Sequence, residues 1–382
     1  MGEPLTHGRA REVLAVFLRL GLTAFGGPTA HIALFRGELV RRRGWLDDAE
    51  LLELVGAASV IPGPNSTELA IAIGRRRAGW AGFAAAGAGF ILPAVTIVLA
   101  LAWLYREAGA RPELGAVLAG VEPVLIAILA AAVVGLGRTM AGDRPRLALA
   151  AGAAILYVAG IAELAILGAG AITLVALRGL WPPGRSALFG LGVGGGLAGG
   201  SAVGLVPLFL VFLKAGALLF GSGYVLVAFL RADLVGDLGW LTEGQLLDAI
   251  AIGQLTPGPL FTSATFIGYL LAGLPGAAVA TVGIFLPSFV FVAFLDPIVH
   301  AVRGDPRARA ALDGVAAAAL GLMTGVTLLL ASHALAPDGR PDAAWIAVAV
   351  AAGGALATRR LGATTLIGLG ALAGLVRLAV GA

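Results

Sequence analysis

The stretch Ile61-Pro62-Gly63-Pro64-Asn65-Ser66-Thr67 returns later in the chain as Thr256-Pro257-Gly258-Pro259-Leu260-Phe261-Thr262, an offset of 257 − 62 = 195 residues. Two prolines around a glycine do not fit a continuous helix, because each proline removes a backbone donor and the glycine opens a turn. Both copies nevertheless lie in long apolar runs. The same offset carries Phe17-Leu18-Arg19 onto Phe212-Leu213-Lys214, Phe25-Gly26 onto Phe220-Gly221, and Gly44-Trp45-Leu46 onto Gly239-Trp240-Leu241. Positions 17–70 share 18 identities with 212–265 without a gap. One residue is then lost, and an offset of 194 maps Leu92-Pro93 to Leu286-Pro287 and Gly120-Val121 to Gly314-Val315. Tryptophan and a Pro-Gly-Pro triplet in one register mark an internal duplication, which fixes the architecture before any single element does.

Composition says where the duplicated unit lives. The 382 residues are 59% hydrophobic and 13% charged, with 58 glycines, no cysteine and one lysine, Lys214, among 26 basic residues. Soluble domains carry roughly 25% charged residues, so an ordinary globular protein is excluded. No thiol chemistry is available, four histidines show no metal-binding spacing, and no phosphate-loop pattern is present. These absences argue against an enzyme, a bound metal or a cofactor. The net charge of +4 comes from short arginine clusters between apolar runs, which is how membrane proteins mark cytoplasmic loops rather than how they bind nucleic acid.

Segments 79–105, 114–137, 275–299 and 311–331 are each long enough to cross a bilayer, which takes about 20 apolar residues. The blocks 147–177 and 343–380 exceed one span and are interrupted by Glu163 and by Arg359-Arg360, so each is predicted to fold as two short helices. No cleaved signal peptide is evident at the start of the chain. With no strand-like alternation, helices must satisfy the backbone. The predicted fold is an all-α polytopic membrane protein of roughly 10–14 segments, some of them broken or re-entrant.

Loop charge gives the relative orientation of the copies. Arg36, Arg41–Arg43 and Arg75–Arg77 in copy one face Arg231, Asp233, Asp237 and Glu243 and an uncharged turn near Gly273 in copy two. The next loop is balanced in copy one and basic in copy two, with Arg303, Arg307 and Arg309. The one after reverses again, with Arg138, Arg144 and Arg146 against Asp338 and Asp342. Positive charge marks the cytoplasmic side, so the repeat is inverted, an architecture that places substrate at the repeat interface near the midplane. The expected boundaries are 11–140 for the first repeat, 141–205 for connecting segments, 206–331 for the second repeat and 332–382 for C-terminal helices.

Breaks at Phe25-Gly26-Gly27-Pro28-Thr29, Pro62-Gly63-Pro64, Phe220-Gly221-Ser222-Gly223 and Pro257-Gly258-Pro259 expose helix N-termini, each with about half a positive charge. Together they suit an anion. Arg19 and Lys214 are repeat equivalents two turns before a glycine break, and cations at bilayer depth cost about 2.5–3.5 kcal/mol each. They serve either the substrate or an interface reached by snorkelling. Thr29, Asn65, Ser66, Thr67, Ser222, Thr256, Thr262 and Ser263 supply hydroxyls and amides for a tetrahedral oxyanion. His31 either contacts substrate or caps a helix. Glu68 either carries a proton or pairs with an arginine such as Arg19. Glu122 reads as a helix-start residue, and the glycine run Gly192–Gly200 as close packing or a connector.

The Phe-Gly-Gly-Pro of Phe25–Pro28 followed by His31, and the Pro-Gly-Pro of Pro62–Pro64 followed by Asn65, resemble the chromate ion transporter family. The layout of two homologous, oppositely oriented domains is similar to it over nearly the whole chain. The resemblance implies export of chromate from a bacterial cytoplasm across the inner membrane, with sulfate as isosteric competitor and chromate resistance as the phenotype. The expected substrate contacts are Arg19, Gly26, Gly27, Thr29, His31, Pro62, Gly63, Asn65, Ser66, Thr67, Lys214, Ser222, Thr262 and Ser263, with copy one leading because Leu226 and Leu260 replace His31 and Asn65. The bilayer is the other partner, and a homodimer is compatible with the pattern. A dianion leaving an interior-negative cell gains about 2 × 2.3 kcal/mol per 100 mV, so no ATP is needed.

Overall fold

Each helix start is written in local chemistry. Asp47 and Thr242, 195 residues apart, both build capping boxes, with Glu50 and Gln245 answering at the third helical position. Asp143, Asp305 and Asp342 cap later helices by accepting from backbone N–H groups, two of them just before a proline at the first turn, where a missing N–H costs nothing. In the computed structural model, which describes residues 3–108, 111–180, 203–220, 223–336, 339–358 and 360–380, these signals start helices and no strand forms among the described residues. Gly192–Gly200, Gly221-Ser222, Asp338, Arg359 and the side chain of Thr29 lie outside that description.

Copy one runs α1 (Glu3–Thr23), α2 (Pro28–Phe35), α3 (Asp48–Ala58), α4 (Ser66–Ala108), α5 (Pro112–Thr139), α6 (Arg144–Val158) and α7 (Glu163–Leu177). Copy two follows with α8 (Leu205–Leu218), α9 (Leu226–Leu230), α10 (Glu243–Leu255), α11 (Ser263–Ala293), α12 (Leu295–Gly304), α13 (Pro306–Ala334), α14 (Ala343–Ala357) and α15 (Ala363–Val380). A π-helical turn follows α2 at Arg36–Arg42 and α9 at Arg231–Asp237. The two apolar blocks divide as expected, at 159–162 between α6 and α7 and at 358–362 between α14 and α15.

α4 and α11 are each two helices. Ala78 and Gly79 leave helical geometry at φ −142° and 60°, and their counterparts Ala272 and Gly273 do so at −142° and 62°. Only glycine takes the second conformation cheaply. The chain doubles back there, so 66–77 and 263–271 are the returning arms of hairpins and 80–108 and 274–293 are spans. Five described segments are long and apolar enough to cross a membrane, and the shorter helices α7, α8 and α14 are also apolar. Ile155, Val206 and Val350 point outward at about 70% exposure, as lipid-facing side chains do in a polytopic membrane protein.

Packing relates the copies by exchange. α1 lies on α4 and α8 on α11, but α6 and α7 pack against α13, while α14 and α15 pack against α5. Thus the last two helices of each copy cover the equivalent helix, α13 or α5, of the other. Glycines set the crossings: a methyl on Gly120 would strike Gly374 at 2.7–2.9 Å, and one on Gly314 would strike Gly170 and Ala171. Without a hydrophobic drive between helices in lipid, such close backbone approach is what holds them together.

Candidate functional site

The described parts of the four breaks converge. The Gly63 N–H donates to the Leu219 carbonyl and the Gly258 N–H donates to the Ala24 carbonyl, both at 2.8 Å. Those bonds are repeat equivalents (63 + 195 = 258, 24 + 195 = 219), so each Pro-Gly-Pro turn is latched to the helix end that opens the other copy's first break. Both glycines have positive φ, 136° and 102°, which a side chain resists by roughly 1–2 kcal/mol. Non-helical backbone at this depth survives because the opposite copy supplies its partner.

Between the latches lies a small cavity of about 30 Å³. Copy one lines it with Gly26, Gly27, His31, Pro64 and Ser66, and copy two with Tyr224, Gln254, Thr256 and the backbone near Gly223, Gly258 and Leu260. α2 and α4 begin at its wall, directing the positive ends of their dipoles at it. His31 is 2% exposed. Its Nε2 lies 3.1 Å from the Ala24 carbonyl, which only accepts, so Nε2 carries hydrogen and donates. Nδ1 is buried without a partner. The imidazole is held edge-on by Phe90, with centroids 5.6 Å apart.

Most hydroxyls around the breaks are turned onto their own chain. Ser66 donates to Pro64 O (3.0 Å), Thr262 to Pro259 O (2.9 Å), Ser263 to Leu260 O (2.9 Å) and Thr256 to Ile252 O (3.1 Å). Thr67, fully buried, has none of this, and its hydroxyl is unpartnered. Glu68, one residue on, is also fully buried. Its Oε1 accepts from the Ser288 hydroxyl of α11 at 2.5 Å, and its Oε2 has no partner. Among the described residues no arginine bonds to Glu68. Buried unpartnered polar atoms are rare, and three of them lie around this one cavity and its rear wall.

The structure therefore gathers Gly26, Gly27, His31 and Ser66 at the cavity, with Pro62, Gly63, Thr67, Thr262 and Ser263 buried behind it and Asn65 half-buried beside it. It does not bring Arg19 or Lys214 there. Arg19 is exposed on α1. Lys214 sits in an ion cluster, 3.1 Å from Glu163 Oε1 of α7 and bonded to Asp233 of the π-helical turn. Tyr224 and Gln254, hydrogen-bonded to each other, are the lining residues that sequence reading missed. Gln254, a single amide in an apolar stretch, was the available signal.

Two larger cavities each include one member of the repeat-equivalent pair Arg76 and Leu270. One, about 380 Å³, is lined by Leu54, Ala72, Arg75, Arg76, Val292 and Asp296. Arg75 there donates to the Val292 and Ala293 carbonyls at 2.9 and 2.8 Å, matching a cation to the negative end of α11. The other, about 610 Å³, includes Tyr105, Arg106, Arg111, Glu122, Asp248 and Leu270. Leu270 is the counterpart of Arg76 (76 + 194), and the Tyr105 hydroxyl donates to Asp248 at 2.8 Å.

A small polar cavity between latched, broken helices of two pseudo-equivalent halves defines a membrane carrier rather than an enzyme. The sequence profile described as chromate transporter matches residues 11–175 and 206–375. The chain belongs to the chromate transporter family. It is 35% identical over 342 residues to the chromate transport protein of Pseudomonas aeruginosa, covering 84% of this chain and 80% of that one. It is 33% identical over 340 residues to the chromate transport protein of Cupriavidus metallidurans, covering 85% and 83%. An uncharacterized Bacillus subtilis transporter, YwrB, is 29% identical over 119 residues, 31% of this chain and 60% of the relative. No solved structure matches the chain.

Proposed function

We propose that the chain carries chromate out of a bacterial cytoplasm across the inner membrane, driven by the membrane potential. The observation that carries this reading is the cavity at the crossed latches, where an oxyanion meets helix N-termini, the free Thr67 hydroxyl behind them, and the Tyr224–Gln254 pair. On this reading substrate enters from the cavity at Arg75 and Arg76, on the side marked by the arginine triplets, and leaves by the one at Tyr105 and Asp248. His31 sets the charge preference. Neutral, it aims a lone pair at an anion; protonated, it offers an N–H. Glu68 is the proton acceptor of the cycle, because a carboxylate without a cation at this depth is stable only if it can take up a proton.

Inverted membrane vesicles test the reading directly. Uptake of labelled chromate should rise with an imposed inside-positive potential, and excess sulfate should compete. Uptake indifferent to potential would refute the driving force, and sulfate uptake without chromate uptake would refute the substrate.

A further inference from the structure

The exchanged helix pairs are not packed alike. On α13, Gly321 and Gly325 face α6 so closely that added methyls would meet the Ala154 nitrogen at 2.9 Å and Tyr157 Cδ1 at 2.8 Å. Their counterparts on α5 are Ala127 and Ala131 (321 − 194 and 325 − 194). There the methyls hold α14 away, and an apolar groove of about 440 Å³ remains, open toward the bilayer and walled by Ala127, Ala131, Val134, Val350 and Gly353. Exposed Arg138 stands at its end. The position equivalent to Arg138 in copy two is Ser332 (138 + 194). The open groove and its cation therefore occur together in one copy, and both are missing from the other.

We propose that this groove is a binding site for one anionic phospholipid, an acyl chain lying between α5 and α14 and the headgroup phosphate on Arg138. The loop that Arg138 begins also carries Arg144 and Arg146, which places it in the cytoplasmic leaflet, where anionic lipids concentrate. A guanidinium matches a phosphate with paired N–H donors. A lipid here wedges α14 at a fixed distance from α5, the role that direct backbone contact plays between α6 and α13.

Native mass spectrometry of the full chain in detergent, titrated with phosphatidylglycerol and with phosphatidylcholine, tests the site. Phosphatidylglycerol should be retained at one copy per chain, about fivefold more tightly than phosphatidylcholine, the effect of one basic residue at a lipid surface. Arg138→Gln should erase that preference, and Ala131→Leu should expel both lipids. Should Ala131→Leu fail to fold, the double change Ala127→Gly with Ala131→Gly closes the groove as copy two does and should expel them too. Equal retention by wild type and groove variants overturns the proposal. So does a dimer mass that the groove variants abolish, which would assign the face to a second copy of the chain.

Discussion

The two Pro-Gly-Pro turns share one backbone and differ in what lies beneath it. Gly63 rests against the Glu68 carboxyl, with Ser288 Oγ 3.2 Å from where a methyl would project; Gly258 rests against the methyl of Ala94. Glu68 corresponds to Ser263 (68 + 195) and Ser288 to Ala94 (94 + 194), so the buried acid and its cross-copy donor at one turn correspond to a hydroxyl and a methyl at the other. The lesson is that duplication preserved the mechanical part, the latches, and let chemistry collect on one side. The cations diverged the same way: Lys214 is locked into a cluster and Arg19 is exposed.

Breaking these pairs ranks their roles. Lys214→Met should have the largest effect, because it strands two carboxylates whose residues are each 6% exposed. The expected loss is about 3 kcal/mol, the low end for a buried ion pair because Lys214 keeps 31% of its side chain accessible. Arg19→Met should stay within about 0.5 kcal/mol. Thermal unfolding in detergent compares the two, and equal destabilisation would erase the contrast. Next, Glu68→Ser with Ser288→Ala gives the Gly63 turn the chemistry that surrounds the Gly258 turn. The protein should fold and keep both latches, yet lose the pH dependence of chromate flux and about tenfold of its rate, some 1.4 kcal/mol of barrier. A pH profile unchanged in vesicles would remove Glu68 from the cycle. His31→Leu, the residue of copy two, should lower flux by roughly tenfold, the ~1.5 kcal/mol of a hydrogen bond to a charged group. A wild-type rate would mean that Nδ1 never meets substrate.

The smallest effect concerns Asp143–Arg178 at 3.6 Å and Asp342–Arg377 at 2.7 Å, equivalent bridges between the loops and the last helix of each copy. The hydrogen bond from Arg377 holds the Asp342 carboxyl below the usual carboxylate range. A folded value below the unfolded one means that the bridge stabilises above the unfolded value, near pH 4, and is lost as pH falls through the folded one. Asp342→Asn should therefore lower the melting temperature at pH 6, and the difference from wild type should shrink as pH falls below about 4. A constant difference across that range would refute the assignment.

How much of this could be read from the chain depends on reach. The repeat, the split at Glu163, the loop at Arg75–Arg77 and the breaks themselves were legible, because turn chemistry and charge act locally. The partners of Lys214 were not: Glu163 and Asp233 lie 51 and 19 residues away, and neither carries a local signal. Ser288, 220 residues from Glu68, reads in sequence only as a polar residue after Pro287. Gln254 and Tyr224 replace Ser59 and Thr29 of copy one, so their part in the lining could not be read from the first copy's residues. The exchange of helix pairs was also hidden, since sequence order suggests that each copy covers itself.

That exchange has a consequence for synthesis. α5 is complete once residue 139 has left the ribosome, but the glycines that meet it, Gly370 and Gly374, are made more than 230 residues later (370 − 139 = 231). At about 5–20 residues per second, the nascent chain waits on the order of ten seconds or more with one flank open to lipid. Release of the finished carrier is thus timed by its own final helices, and a stall in the second half leaves the first unsealed in the membrane.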